Sequence, residues 1–393
     1  MAGSVIIAGA RTPIGKLSGA AASLSAADLG GVAIKAALER AGIDGEQVDY
    51  VFMGHVLQAG AGQITARQAA VAGGIPMNVP ANTINKVCLS GMNAVHLADL
   101  MIQAGEADIV VAGGMESMTN APYLLPGARA GYRMGDKSVV DSMMYDGLFC
   151  AFDQCAMGLG TEKYASSESL DRDSQDDMAA KSHQRAAAAI ESGKFAEEIA
   201  PVEIPQRKGD PVVFDTDEGV RGETSADSLS QLRPAFDKAG NITAGNASQI
   251  SDGGSAMVIM SASKAKELGL TPLAEILGYG QVSGPDSASL LYQPANAIRA
   301  ALKQAGKDVA DVDLFEINEA FAAVGLASMR ELGITDDVVN VNGGAIALGH
   351  PLGMSGNRIT LTLAYELKRR GGGIGAAGLC GGGGQGDAII IRV

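Results

Sequence analysis

Cys88 lies in Asn85-Lys86-Val87-Cys88-Leu89-Ser90-Gly91-Met92, Cys380 closes Gly378-Leu379-Cys380 ahead of a glycine run, and His350 stands between them in Gly349-His350-Pro351-Leu352-Gly353. A thiolate is a strong nucleophile and also a usable base near neutral pH, once an imidazole or a helix terminus lowers its pKa from about 8.5. Two thiols and one imidazole in glycine-rich turns therefore point to nucleophilic acyl chemistry. Each has a bland alternative: free cysteines are most often inert core residues, and an isolated histidine is as readily a packing residue. Position favours chemistry here. Cys88 stands at a predicted loop-to-helix junction, where unpaired N–H groups and the helix dipole stabilise a negative sulfur, and His350 occupies a rigid, exposed turn between Gly349 and Pro351.

Three further motifs carry weaker signals. Residues 343–356 are glycine-rich like a phosphate loop but lack the Gly-Lys-Ser/Thr ending. Residues 381–386 formally fit a dinucleotide fingerprint, yet no helix and no acidic residue follow them, so these glycines better serve to bring backbone N–H groups to an oxyanion. Asn318, in Glu316-Ile317-Asn318-Glu319-Ala320-Phe321, leaves a predicted strand, where an amide can hold a water or donate to developing negative charge; an ordinary turn asparagine is the alternative. Cys150 and Cys155 are too far apart for a CxxC pair and lack nearby histidines, so they read as structural and no metal is expected.

Those turns need a scaffold, and composition supplies a globular one: 393 residues, 47% of them hydrophobic, with 53 glycines in no repeating Gly-X-Y period. The 44 acidic against 30 basic residues give a net charge of −14, which repels nucleic acid and anionic membrane surfaces but leaves a small anion bound by local arginines open. Few cysteines in no dense framework, no secretory apolar region after Met1 and no peroxisomal ending at Ile391-Arg392-Val393 give a cytoplasmic expectation.

Residues 48–54 resemble residues 312–318, and in nearly the same register Gly91 matches Gly356 and Ala112-Gly113 matches Ala377-Gly378. The chain reads as a duplicated unit of strand, glycine turn, helix and strand, that is, α/β layers. The helix over 92–104 is apolar on nearly every face, hence buried; its counterpart starts near Ser355 and ends at Lys368-Arg369-Arg370, and the closing strand covers 388–391. Residues 119–249, with Pro122, Pro126, Pro201, Pro205, Pro211 and Pro234, charge clusters and a helix over 174–192, break the pattern. They look like an insertion placed to roof a site between the halves.

Read together, the Cys88 block, Asn318-Glu319-Ala320-Phe321, Asn340-Val341-Asn342-Gly343-Gly344-Ala345 through His350-Pro351, and Leu379-Cys380 with its glycines resemble the thiolase family over the whole chain. Arg11-Thr12-Pro13, residues 233–236 and residues 243–248 match as well. The resemblance implies a five-layered αβαβα fold: a core domain over 1–118 completed by about 250–272, a loop domain over 119–249 and a second core domain over 273–393. It implies that Cys88 takes the acyl group, that His350 helps deprotonate it, and that Cys380 removes an α-proton from a second acyl-CoA. One oxyanion pocket would use His350 and a water on Asn318, another the N–H groups of Cys88 and Gly382. Coenzyme A would run past Leu148, Met157, Arg221, Ser228, Ala244 and Ser248.

The implied reaction joins two acetyl-CoA to acetoacetyl-CoA and CoA reversibly, with no cofactor beyond these thioester substrates. A degradative 3-ketoacyl-CoA enzyme of broader chain length is the nearest alternative, and a non-catalytic acyl-CoA-binding or lipid-carrier protein is one of another class. Family members assemble as dimers or tetramers, and the segment with Met143, Met144, Leu148 and Phe149 would support assembly. Three departures from the family pattern, Ala156-Met157, Leu89 and Met354-Ser355-Gly356, and a lengthened stretch over 283–294 bear on specificity. The expectation is that bulky Leu89 and Met354 beside the reacting centre favour a short acyl chain, with a branched one served equally by altered pocket walls.

Overall fold

The computed structural model describes residues 3–286 and 290–393, so part of the lengthened 283–294 stretch lies outside the described residues. The main path of the central sheet consists of β1 (Ser4–Arg11), β2 (Tyr50–Gly54), β3 (Ala81–Ile84), β4 (Ile109–Ser117), β5 (Ser251–Ser261), β6 (Ala274–Ser283), β7 (Leu314–Ile317), β8 (Ile374–Gly381) and β9 (Gln385–Arg392). They hydrogen-bond in the order β7-β8-β9-β6-β1-β5-β4-β2-β3. The order is the same read from β6 or from β1 outwards: β9, β8, β7 on one side and β5, β4, β2 on the other. Register carries the repeat to single residues. Phe52 faces Ala112 in the parallel pair β2–β4, and their sequence counterparts Glu316 and Ala377 face each other in β7–β8. Even the irregularities repeat: β1 slips against β5 between Ile6 and Ala8, and β6 slips against β9 between Ile276 and Gly278.

The helices that matter are α1 (Ala26–Ala41), α2 (Ser90–Gln103), α3 (Arg172–Glu191), α4 (Gln293–Ala305), α5 (Ala322–Leu332) and α6 (Leu352–Arg369). α1 buries one face in a cluster with Val5, Val51, Val111 and Val258, outside one half of the sheet. α4 and α5 do the same outside the other, through Ile298, Leu302, Met329 and Leu332 against Phe315 and Ile390. α2 and α6 lie between the halves: Met92, Val95, Ile359 and Leu363 share one core with Phe52, Val110, Met257, Leu379 and Ile389. Helix, half-sheet, helix pair, half-sheet, helix makes the five layers. A helix covered on both sides must be apolar nearly all round, which is how α2 was legible.

α2 and α6 approach at glycines. A Cβ on Gly91 would stand 2.7 Å from Gly353 O and 2.9 Å from Asn357 N, and one on Gly356 would stand 2.5 Å from Met92 N. Gly91 and Gly356 are the pair that the repeat had matched, so the duplicated position is the helix-crossing point. α6 begins at Leu352, a turn before the expected Ser355, because Pro351 at φ −63° already has the backbone angle of a helix start. The insertion contributes α3, and its Gly147, Leu148, Met157 and Ser248 reach the cavity that Cys88 and Cys380 line.

Candidate active site

The Cys88 turn is built by its own side chains. Ser90 Oγ accepts from Lys86 N at 2.8 Å and donates to Val87 O at 2.6 Å, while Asn85 Oδ1 accepts from Val87 N at 3.1 Å. Val87, at φ +51°, holds a left-handed conformation that a β-branched residue adopts only when its surroundings over-determine it. Lys86 Nζ reaches Asp387 of β9 at 2.8 and 2.9 Å, and Tyr279 Oη donates to the same carboxylate at 2.6 Å. Asp387 faces Leu379 across β8–β9, so this ion pair fastens the nucleophile turn to the hairpin that carries Cys380.

Cys88 stands two residues before α2, so the junction is as expected, but the low thiol pKa is not. Burial pushes it up to about 12; the N–H groups of Cys88 and Gly382 pull it down and the Glu116 carboxylate pushes it up, both by less. His350 is also corrected: it is buried, and burial followed by the positive Arg358 lowers its pKa to about 3. Thiol and neutral imidazole are therefore the resting pair.

Hydrogen bonds set the ring's tautomer. Ser355 Oγ donates its one proton to Pro351 O at 2.9 Å, so it accepts from His350 Nδ1–H at 2.5 Å. Nε2 is left with a lone pair, facing Asn318 Nδ2 at 3.4 Å. A nitrogen in that state is able to accept a proton and, once protonated, to donate one. Asn318 Oδ1 has no hydrogen-bond partner among the described residues, which suits the water implied for it. Asn318 is held from behind by Glu319, whose carboxylate accepts from Ser182 Oγ at 2.6 Å, Asn340 Nδ2 at 2.8 Å and Ile346 N at 3.1 Å.

Glu116 was missed in the sequence. It ends the buried strand β4 and accepts from Val56 N, Leu57 N and Gly353 N at 3.1, 3.1 and 2.9 Å, anchoring the start of α6 just past His350. An acid inside an otherwise apolar buried strand was the available signal. Ser355 was seen only as part of a specificity motif.

Cys88, His350, Cys380 and Gly382 line one narrow cavity of about 60 Å³. Burial, then the neighbouring Cys88, raises the Cys380 thiol's pKa well above its ordinary value. The cavity adjoins an outer one of about 500 Å³ that shares Leu148, Met157, Ser248 and His350 and adds Arg221, Ala244, Phe236 and Lys16. Five of the six expected coenzyme contacts thus border one continuous channel. Ser228 does not: it is exposed, its hydroxyl engaged with Ser225 in the cap of a short helix. Leu89 and Met354 do not wall the centre either. Leu89 packs under Gly381 in the core, and Met354 lies against Gly253 and the Ile14 cluster. The apolar walls are Leu148, Met157, Leu290, Phe321 and Leu352; α2 and α6 turn the two expected residues inward, a rotation that spacing alone did not reveal.

Comparison with known proteins agrees with this geometry. The model of the thiolase N-terminal domain matches residues 4–263 and that of the thiolase C-terminal domain residues 270–393. The chain belongs to the thiolase family. It is 59% identical over its full length, and the full length of the relative, to a probable acetyl-CoA acetyltransferase of Mycobacterium tuberculosis. It is 54% identical to the acetyl-CoA acetyltransferase of Cupriavidus necator, over 99% of this chain and 98% of that one. The crystal structure of the Bacillus anthracis acetyl-CoA acetyltransferase superposes with a TM-score of 0.97 at 42% identity, covering 100% of this chain and 99% of that chain.

Proposed function

We propose that this thiolase is an acetyl-CoA C-acetyltransferase, joining two acetyl-CoA to acetoacetyl-CoA and CoA through acetyl-Cys88. The observation that carries the reading is the meeting of Cys88, Cys380, His350 and the Gly382 backbone in one small cavity. His350 Nε2 takes the Cys88 proton as sulfur attacks the thioester, and the N–H so formed donates, with a water on Asn318, to the oxyanion. As acetyl-Cys88 forms, the bond to CoA breaks and the departing CoA thiolate takes the Cys380 proton. The Cys380 thiolate then removes an α-proton from the second acetyl-CoA, and the enolate attacks acetyl-Cys88, whose carbonyl oxygen lies against the N–H groups of Cys88 and Gly382; the bond to Cys88 breaks and its sulfur recovers the proton held on His350 Nε2. Donors of this kind contribute about 3 kcal/mol each to such barriers.

The narrow inner cavity favours a two-carbon acyl group, and Arg221 at the channel's outer end suits a phosphate-bearing nucleotide. Thiolysis rates across 3-ketoacyl-CoA chain lengths test the reading: preference for acetoacetyl-CoA supports it, and faster cleavage of a long chain would assign the degradative role instead. Acetyl labelling should vanish in Cys88→Ser. Among the described residues no helix is long and apolar enough to cross a membrane, in keeping with a cytoplasmic setting. Exposed Met134, Tyr145 and Phe152 in the insertion support a homodimer or homotetramer, which sedimentation equilibrium would distinguish.

A further inference from the structure

We propose that Cys150 and Cys155 form a dithiol site that small-molecule disulfides oxidise to an internal bond, clamping the hairpin that carries two walls of the substrate channel. The two cysteines, set aside in the sequence as structural, are direct partners in a short antiparallel ladder: Phe149 faces Ala156 and Cys150 faces Cys155. Opposed residues in such a ladder have Cα atoms about 4.5–5.5 Å apart and side chains on the same face, and disulfides span Cα separations of about 4.4–6.8 Å. Both thiols are free. A bond therefore needs side-chain rotation and no shift of register.

The surroundings supply what exchange requires. Cys150 is buried, and its Sγ–H donates to Asp153 Oδ2 at 3.3 Å while its sulfur accepts from Asp153 N at 3.4 Å. The carboxylate can take the thiol proton, and the backbone N–H steadies the thiolate left behind. Cys155 is partly exposed, so it meets a small disulfide RSSR first. Its sulfur bonds one sulfur of RSSR, the old S–S bond breaks, and the departing thiolate leaves with the Cys155 proton as RSH. Cys150 then yields its proton to Asp153 and attacks the Cys155 sulfur, and the second RS⁻ leaves, collecting that proton. Two protein thiols and RSSR become one protein disulfide and two RSH; the protein loses two electrons and RSSR gains them.

The hairpin's place gives the bond a consequence. Leu148 directly precedes Phe149 and Met157 directly follows Ala156, and both border the inner and outer cavities. Fixing the strand pair fixes the spacing of these two walls, which the incoming CoA must pass.

The test uses the full-length protein, treated with oxidised glutathione, blocked with N-ethylmaleimide and digested with trypsin. Residues 138–163 contain no internal lysine or arginine, so both cysteines fall on one peptide, apart from Cys88 and Cys380. The expected product is that peptide two hydrogens lighter than its reduced form, carrying no maleimide and restored by dithiothreitol. Asp153→Asn should instead accumulate glutathione on Cys155. In thiolysis, oxidation should shift the KM for CoA by about threefold or more in the wild type and leave it unmoved in Cys155→Ala, whereas loss of catalytic thiols lowers kcat in both alike. The mass measurement stands whatever the substrate; the kinetic one rests on the activity proposed above. Separate glutathione adducts on Cys150 and Cys155 with no internal bond would overturn the site, and a bond that leaves KM unchanged would overturn its effect on the channel.

Discussion

Ser355→Ala isolates the tautomer argument. The hydroxyl accepts from His350 Nδ1–H at 2.5 Å and donates to Pro351 O at 2.9 Å, and both partners are buried. Alanine leaves Nδ1–H without an acceptor, and stranding a buried donor costs about 1–3 kcal/mol. The ring escapes that cost by moving its proton to Nε2, where it blocks uptake of the Cys88 proton. Since 1.4 kcal/mol is about tenfold, acylation should slow by about 10- to 100-fold. The assay is rapid-quench mass spectrometry of Cys88 acetylation by acetyl-CoA, with thermal melting as a control for packing. His350→Asn with Ser355→Ala should be no slower than His350→Asn alone, because the serine acts only through the ring. Acylation within about twofold of wild type, or additive losses in the double variant, would refute the reasoning.

Other outcomes follow from the same geometry. Cys380→Ser should still accept acetyl on Cys88 but fail to condense, as read by acetoacetyl-CoA formation; retained condensation would remove Cys380 from its role. Lys86→Met strips the buried Asp387 of its cation, and breaking such a pair costs about 3 kcal/mol, visible in urea unfolding; Lys86→Arg should recover part of it. Burial raises the Glu116 pKa to about 7 in the folded chain, above its unfolded value near 4.5. The native state thus binds the extra proton, and this contribution is full below about pH 4.5 and lost as pH rises through about 7. Glu116→Gln should flatten the decline of the melting temperature over that window, and an unchanged slope would count against it.

The layered fold was readable because burial leaves a plain record. A largely apolar α2 belongs between two half-sheets, and the match of Gly91 with Gly356 marked the repeat whose meaning as a helix crossing only the structure supplies. That Cys88, His350 and Cys380 stand in locally fixed turns was readable, because glycine and proline flank them. Electrostatics was not: whether a thiol at a helix start is acidic depends on how much water the distant Leu148, Met157 and Phe321 exclude, and no short stretch encodes that. The same holds for Glu116, whose role exists only once three separate segments bring their N–H groups to it. Leu89 and Met354 failed as pocket walls because adjacency in the chain says nothing of the side of a helix on which a side chain emerges.

Cys88 and His350 each sit two residues ahead of one of the two central helices, α2 and α6. A self-paired half-molecule must present the same group from both sides, thiol opposite thiol or ring opposite ring. Joining the copies in one polypeptide lifts that restriction, since each side mutates alone. In the fused chain a thiol can stand ahead of one central helix and an imidazole ahead of the other, so the pairing of an electron donor with a proton acceptor that acyl transfer demands is built once, at a single site.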